Sequence, residues 1–204
     1  MLDIVNLSCA RGDRPLFQGL GFSLRAGEFL HIQGANGSGK TTLLRTLCGL
    51  SVPVEGEILW RGSTIHALQE DYRGALCYVG HHNGLQGEFT AAENLALYQN
   101  LNGDVGGSPI SEVLVQLRLA AVSHLPTKLL SQGQKRRLAL ARFLVAHKPL
   151  WIMDEPITAL DKDSVTLMNT IFTTHLDRGG LIILTSHQQV RLASHPVRTL
   201  SLDT

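Results

Sequence analysis

The first third of the chain alternates between short apolar runs and polar turns. Four runs have the length and the β-branched or aromatic content of strands, with Gly, Pro or charged residues between them. They are LDIVNLSC (2–9), LGFSLRA (20–26), EFLHIQG (28–34) and GEILWRG (56–62). A fifth run, ALCYVG (75–80), also predicts a strand. By contrast, KTTLLRTLCGL (40–50) places its leucines on one face of a helix.

Residues 91–147 change to a helical pattern, which is carried by AAENLALYQNL, ISEVLVQLRLAAV and the basic, apolar stretch LLSQGQKRRLALAR. The last third returns to alternation. It predicts a strand in LWIMDEP (150–156), a helix over 162–176, a strand in LIILT (181–185), a short helix and a final strand near VRTLSL (197–202).

Strands that alternate with helices predict an α/β fold with a parallel core sheet, and the purely helical middle third predicts an inserted helical subdomain. We expect one domain over residues 1–204, with the helical subdomain at about 83–147. A chain of 204 residues is long enough to bury a substantial core in one domain.

Composition narrows the class of protein. The formal net charge of +1 gives no electrostatic reason to expect nucleic acid as a partner. Cys9, Cys48 and Cys77 are odd in number and widely spaced, which predicts buried free thiols and fits a reducing cytoplasm. The start MLDIVNLSCARGD lacks the pattern of a signal peptide, and no apolar run approaches the ~18 residues of a membrane span. We therefore expect a soluble chain.

The segment GANGSGKTT has the spacing GxxxxGK[ST] between a predicted strand and a predicted helix. Its residues are Gly34, Ala35, Asn36, Gly37, Ser38, Gly39, Lys40, Thr41 and Thr42. Glycines let successive backbone N–H groups point at a phosphate, and the helix N-terminus adds positive potential. Lys40 is expected to reach the β- and γ-phosphates of ATP, and the Thr41 hydroxyl to bind Mg²⁺.

LWIMDEP is the expected complement of this phosphate loop. Four apolar residues predict a buried strand that ends in Asp154 and Glu155. We expect Asp154 to hold the hydrated Mg²⁺ and Glu155 to polarise a water for in-line attack on the γ-phosphate.

A second anion site is predicted at LLSQGQ. Ser131 is suited to cap a helix, Gly133 allows close backbone approach, and the helix N-terminus favours a γ-phosphate.

Together these motifs resemble those of the ATP-binding subunits of ABC transporters. LSQGQ (130–134) resembles the family's LSGGQ signature, with Gln132 in place of a glycine, TALD (158–161) resembles its D-loop, and His187 in LTSHQ resembles its switch histidine. The resemblance implies a P-loop NTPase of the ABC type, with a mixed β core, an antiparallel β subdomain and a helical subdomain. It also implies a head-to-tail dimer in which Ser131, Gly133, Gln134 and Asp161 serve the partner's ATP.

Within the family, the compact length and the segments YVGHHNG and GGLIILTSHQ are similar to the ATPases of haem-handling transporters in cytochrome c maturation. This implies an integral membrane partner subunit and a peripheral position at the cytoplasmic face of a bacterial inner membrane. Three alternatives stay open: the motor of a lipid or drug exporter, a soluble ABC-type ATPase without transport, and a nucleotide-dependent switch with little turnover. Glu155 beside Asp154 argues against the switch.

Three positions either depart from the family pattern or have more than one possible role. Arg11 lies where most members have an aromatic residue, so it either stacks on adenine or is a solvated turn arginine. His81 lies at the family's Q-loop glutamine, where it is expected to contact Mg²⁺ or the attacking water. Direct haem ligation by His81 and His82 is the less favoured option. His187 is expected to contact the γ-phosphate, the alternative being a capping role.

Overall fold

A computed structural model describes residues 1–103 and 106–202. The described strands form two sheets, one antiparallel and one parallel. In chain order the strands are β1 (Leu2–Arg11), β2 (Arg14–Leu24), β3 (Phe29–Gln33), β4 (Glu55–Trp60), β5 (Ser63–Thr64), β6 (Leu76–Val79), β7 (Leu150–Asp154), β8 (Leu181–Thr185) and β9 (Val197–Ser201). The predicted α/β class, with an antiparallel β portion, is confirmed.

The helices are α1 (Lys40–Leu47), α2 (Ile65–Leu68), α3 (Glu70–Ala75), α4 (Ala91–Asn102), α5 (Ile110–Gln116), α6 (Gln132–Val145) and α7 (Lys162–Asp177), with 3₁₀ turns at Ala120–Val122 and Thr127–Leu129. Helices α4 to α6 lie between β6 and β7 in the chain, as the helical pattern predicts. The boundary of a helical subdomain at 83–147 stays a prediction. No helix within the described ranges combines the length and the apolar character needed to cross a bilayer.

The antiparallel sheet has the strand order β2-β1-β4-β5, and the parallel sheet has the order β6-β7-β8-β3-β9. All neighbours in the second sheet run parallel. The carboxyl ends of β3, β6, β7 and β8 therefore meet at one edge, where open α/β sheets bind their ligands. This topology brings the phosphate loop, His81, the Asp-Glu pair and His187 to the same side of the molecule.

The parallel sheet is covered on both faces, which explains its continuous apolar strands. Along β7, Trp151 and Met153 face the core beneath α4 to α7, whereas Leu150 and Ile152 face the core shared with α1 and the antiparallel sheet. This alternation is the period of two expected of a strand.

Two helix predictions are wrong. The run ISEVLVQLRLAAV does not form one helix, because Arg118 has a left-handed backbone (φ 55°) between the buried Leu117 and Leu119. The short helix expected after β8 is absent: residues 186–196, all described, contain neither helix nor strand. There Val190 and Leu192 both pack on the core, and a spacing of two residues suits extended backbone rather than one face of a helix.

Candidate active site

The phosphate loop lies between the carboxyl end of β3 and the first turn of α1. Gly39, the N-cap of α1, has a φ of 100°, a conformation that L side chains rarely adopt. A Cβ atom there would also lie 3.1 Å from the Cβ of Leu16 and 3.2 Å from the ring of Phe17. A glycine is therefore needed where the loop passes β2.

Lys40 lies across the loop to which it belongs. Its ammonium donates hydrogen bonds to the carbonyl oxygens of Gly34, over 2.6 Å, and Ala35, over 3.0 Å. The ammonium group is thus held at the start of the loop. The flexible Lys40 side chain is long enough to bring it to a phosphate bound at the N-terminus of α1.

The predicted residues surround a cleft of about 500 Å³. Its lining includes Arg11, Asn36, Gly37, Gly39, Lys40, Thr41, Thr42, His81, Asp154, Glu155 and His187, and adds Arg14, Leu16 and Thr158, which the sequence analysis did not single out. Gly34, Ala35 and Ser38 belong to the loop but not to the lining. The cleft therefore brings together groups from five separate segments of the chain.

Asp154 is the buried centre of a hydroxyl network at the carboxyl end of β7. Thr41 donates to its Oδ2 over 2.7 Å, and Thr185 of β8 donates to its Oδ1 over 2.6 Å. Carboxylate and hydroxyl oxygens at this spacing are the donor set that Mg²⁺ prefers. The residues present thus fit a hard divalent cation at the mouth of the phosphate loop.

Glu155 emerges into the cleft with a left-handed backbone (φ 50°). Its Oε2 accepts hydrogen bonds from the Thr158 hydroxyl (3.2 Å) and from the His187 backbone N–H (3.3 Å). Its Oε1 lies 3.6 Å from Nε2 of His187 and is buried without a hydrogen-bond partner among the described residues. An oriented carboxylate with one free oxygen is suited to accept a proton from water.

His187 itself is well exposed, but the residue before it is fixed by a buried histidine that the sequence analysis missed. On β3, the ring of His31 lies with Nε2 3.0 Å from the carbonyl oxygen of Ser186 and Nδ1 3.2 Å from the amide of Gln33. With the Gln33 amide donating to Nδ1, Nε2 carries the proton and donates to Ser186. A histidine within the strand that enters the phosphate loop was the available signal.

Arg136 is the second residue that was missed, and it joins three parts of the site. Its guanidinium, 5% exposed, donates to the carbonyl oxygens of Asp154, Glu155, Pro156 and Gly80 and to the side chain of Asn83. Burial lowers the pKa of Arg136, an effect that the nearby charges of Asp154 and Glu155 oppose. Arginine nevertheless stays protonated in proteins, so a buried cation connects α6 to the end of β7 and to the loop after β6.

The signature segment lies outside the cleft. Ser131 caps α6 as predicted: its hydroxyl accepts from the Gln134 backbone, and the Gln134 side chain accepts from the Ser131 backbone over 2.8 Å. A Cβ at Gly133 would lie 3.2 Å from the carbonyl oxygen of Ala159, so the signature helix starts close to the TALD segment. Ser131 is exposed, and none of Ser131, Gly133 and Gln134 lines the cleft that contains Lys40.

Asp161 also lies outside the cleft. Its carboxylate caps α7 by accepting a 2.7 Å hydrogen bond from the Ser164 backbone, and the hydrogen bonds from Ser164 lower the pKa of Asp161.

Arg11 and His81 both line the cleft. Arg11 ends β1 and pairs with Arg14, and both arginines are exposed. His81 and His82 have ring centroids 5.5 Å apart in an edge-to-face arrangement. This geometry leaves both sequence-based options for Arg11 open, because an exposed guanidinium at the rim is free to stack on a planar ligand.

The cysteines are buried free thiols, as predicted. Burial raises the pKa of Cys77 to about 12, so this thiol stays protonated. No cysteine lines the cleft.

Similarity to known proteins is extensive. A sequence profile of the ABC transporter family matches residues 17–158. The cytochrome c biogenesis ATP-binding export protein CcmA of Nitrosospira multiformis is 46% identical over 98% of both chains. A solved structure of a putative ABC transporter ATP-binding protein from Pyrococcus furiosus is 24% identical, with a TM-score of 0.82 over 98% of this chain and 96% of that one. A dimeric ATP-binding cassette bound to ADP and Pi is also 24% identical, with a TM-score of 0.78 over 92% and 88%.

Proposed function

Because the chain belongs to the ABC transporter family of ATP-binding proteins, we propose that it is the ATP-hydrolysing motor of an exporter for haem handling in cytochrome c biogenesis. The observation that supports ATP hydrolysis is that the phosphate loop, Asp154 and Glu155 line the same cleft. The near full-length similarity to cytochrome c biogenesis export proteins supports the biological role.

In this proposal the glycine-rich loop binds the phosphates of ATP through its backbone N–H groups, and Lys40 leaves its loop carbonyls for the β- and γ-phosphates. Thr41 and Asp154 hold Mg²⁺, which supplies charge neutralisation for the transferred phosphoryl group. Glu155 accepts a proton from the attacking water through its free oxygen, and His187 contacts the γ-phosphate. Arg11 at the rim is available for the adenine, and His81, which lines the same cleft, is available for Mg²⁺ or the attacking water.

The proposed active form is a head-to-tail dimer of the chain. Support comes from the position of Ser131 and Gly133, which lie at the N-terminus of α6 but outside the chain's own cleft. The positive end of the α6 dipole suits the γ-phosphate bound by a second copy. Asp161 ends the TALD segment, in which the carbonyl oxygen of Ala159 would lie 3.2 Å from a Cβ at Gly133, so the two segments lie close together.

The proposed partner in the membrane is an integral transporter subunit, with this chain bound peripherally at the cytoplasmic face of a bacterial inner membrane. The export function named for the relative supports such a partner. The exposed apolar side chains of the helical region, Phe89, Leu97, Leu101, Val115 and Leu129, are available for such a contact.

Replacing the chromosomal copy with Glu155→Gln in the source organism tests the role. We expect c-type cytochromes, detected by haem staining of denaturing gels, to disappear while b-type cytochromes persist. Immunoblotting must show an unchanged amount of the variant. Normal c-type cytochromes together with altered lipid export or drug resistance would instead support the alternative of another exporter.

A further inference from the structure

A second cavity, of about 310 Å³, lies at the edge of the parallel sheet opposite the ATP cleft. Pro149 and Trp151 line it at the amino end of β7, whereas Asp154 is at the carboxyl end of the same strand. The last turns of α6 and α7 form its walls. The proposed ATPase reaction makes no use of this cavity.

Lys148 is the unusual residue of this cavity. It lines the cavity and is only 4% exposed, yet it has no hydrogen bond or ion pair within the described ranges of the chain. A lysine that is 4% exposed and has no counter-charge among the described residues is costly to hold as a cation, and proteins normally pair such a group or use it to bind an anion. Its position in a cavity favours an anion that comes from outside the chain.

The other polar groups that line the cavity also favour an anionic ligand. Arg178 and His147 add cationic or protonatable groups, and the described lining contains no Asp or Glu. The indole Nε1–H of Trp151 is buried and has no acceptor among the described residues. The hydroxyls of Thr170 and Thr174 donate to carbonyl oxygens of their own helix, so the charged donors left for a ligand are those of Lys148 and Arg178, beside the neutral side chains of Ser108 and Gln116.

The other walls are apolar, since Phe143, Leu144 and Ile171 line the cavity. The rings of Phe143 and His175 pack against Trp151, with centroid distances of 4.9 and 3.7 Å, so that both aromatic partners fix the indole. A volume of about 310 Å³ is at the lower end of the range for small-molecule sites. This size suits a small organic molecule.

We propose that this cavity binds a small organic carboxylate with an aromatic or branched aliphatic body. Lys148 and Arg178 pair with the carboxylate, and Phe143, Leu144 and Ile171 contact the body. Such a ligand contacts α6 and α7, the helices that begin at Ser131 and Asp161. The site is thus distinct from the ATP cleft, and its occupancy is measurable without ATP.

Fluorine NMR of 4-fluorobenzoate with the purified full chain tests the proposal, with 4-fluorobenzyl alcohol as the neutral control. We expect saturable broadening of the benzoate signal alone, and binding weaker by at least ~10-fold for Lys148→Met. Lys148→Arg keeps the charge and is expected to retain most of the binding. Lys128→Met removes an exposed lysine paired with Glu88 and should have no effect.

Arg178→Gln is a second test in case Lys148→Met does not fold. Arg178 is exposed at the end of α7, so its replacement should not disturb the fold. This variant is expected to unfold at the wild-type temperature and to bind 4-fluorobenzoate more weakly. The proposal is overturned by equal binding of the acid and the alcohol, by wild-type affinity in both Lys148→Met and Arg178→Gln, or by no saturable binding to the wild-type chain. Saturable binding of inorganic phosphate without binding of 4-fluorobenzoate would likewise overturn the organic class of ligand.

Discussion

The guanidinium of Arg136 donates a hydrogen bond of 2.7 Å to the backbone carbonyl oxygen of Asp154. Arg136 belongs to α6, five residues after its N-cap Ser131, and Asp154 ends β7 beside the phosphate loop. The signature helix is thus bonded directly to the strand end that holds the proposed Mg²⁺ ligand. Further bonds to Gly80 and Asn83 extend the connection to the loop that carries His81.

Arg136→Met is expected to lower ATP turnover by at least ~10-fold and stability by about 3 kcal/mol. The reason is that four backbone carbonyls, including that of Asp154, lose the Arg136 guanidinium as a donor, and the bonds to Asp154 and Pro156 are buried. Steady-state hydrolysis and urea unfolding check the two effects. Arg73→Met, at an exposed arginine of α3, is the matched control. A variant that turns over ATP at the wild-type rate would show that Arg136 does not position Glu155.

Lys40→Ala is expected to weaken MgATP binding by at least ~100-fold. The substitution removes the only cationic side chain of residues 34–42, and with it two charge-assisted hydrogen bonds to phosphate. Isothermal titration with MgATP measures the dissociation constant. Lys128→Ala, at an exposed ion pair with Glu88, is the control for a general loss of charge. An unchanged dissociation constant would refute the role of Lys40.

Glu155→Gln is expected to keep ATP binding and to reduce turnover by at least ~10²-fold, the usual effect of losing a general base. The amide has the shape of the carboxylate, so the contact with Thr158 is retained while the proton acceptor is lost. Phosphate release by the purified transporter complex checks the prediction, and Glu88→Gln is the surface control. Wild-type hydrolysis by Glu155→Gln would remove Glu155 from the mechanism.

Local signals explain why much of the site was predictable. The phosphate loop, the acidic end of β7 and the Ser131 cap are each encoded within a few consecutive residues, and they lie where the sequence indicates. The parallel sheet then brings the distant segments together, because the carboxyl ends of its strands share one edge.

Long-range contacts explain what was missed. The hydrogen bonds from Arg136 to Gly80 and from His31 to Ser186 span 56 and 155 positions in the chain. No sequence pattern around either residue indicates such a distant partner. The extended segment after β8 was likewise missed, because the burial of both Val190 and Leu192 depends on the core already being in place.

Stability is expected to fall in mild acid because of His175. Burial, with smaller effects from His147 and Arg178, lowers the pKa of His175 to about 4 from an ordinary value of 6.5. Between the two pKa values, the unfolded chain therefore binds a proton at His175 that the folded chain does not bind. The resulting stabilisation of the folded chain is fully present above about pH 6.5 and is lost as the pH falls towards 4.

The size of this effect is about 2 kcal/mol between about pH 7 and about pH 4.5. Urea unfolding of the wild type and of His175→Gln over this range measures it as a difference in slope, since the variant does not titrate at this position. His66→Gln, at an exposed histidine of α2, should retain the wild-type slope. Parallel curves for wild type and His175→Gln would contradict the prediction.

The most direct test of the composite site uses two complementary variants. Ser131→Arg places a bulky cation at the start of α6 and is expected to prevent ATP-induced dimerisation while leaving ATP binding to the isolated chain nearly intact. The reason is that Ser131 lies outside the cleft that contains Lys40. Ser131→Ala loses the cap, at a cost of about 1 kcal/mol, but adds no bulk, so it should still dimerise.

Mixing Ser131→Arg with Lys40→Ala, both in a Glu155→Gln background that blocks hydrolysis, separates a shared site from a site within one chain. In the heterodimer, one composite site receives both lesions and the other receives neither. The intact site should restore ATP-induced dimers, measured by light scattering, above the level of either variant alone. If the mixture dimerises no better than the weaker parent, Ser131 and Lys40 act within one chain, and the second anion site at LLSQGQ does not serve the nucleotide of a partner.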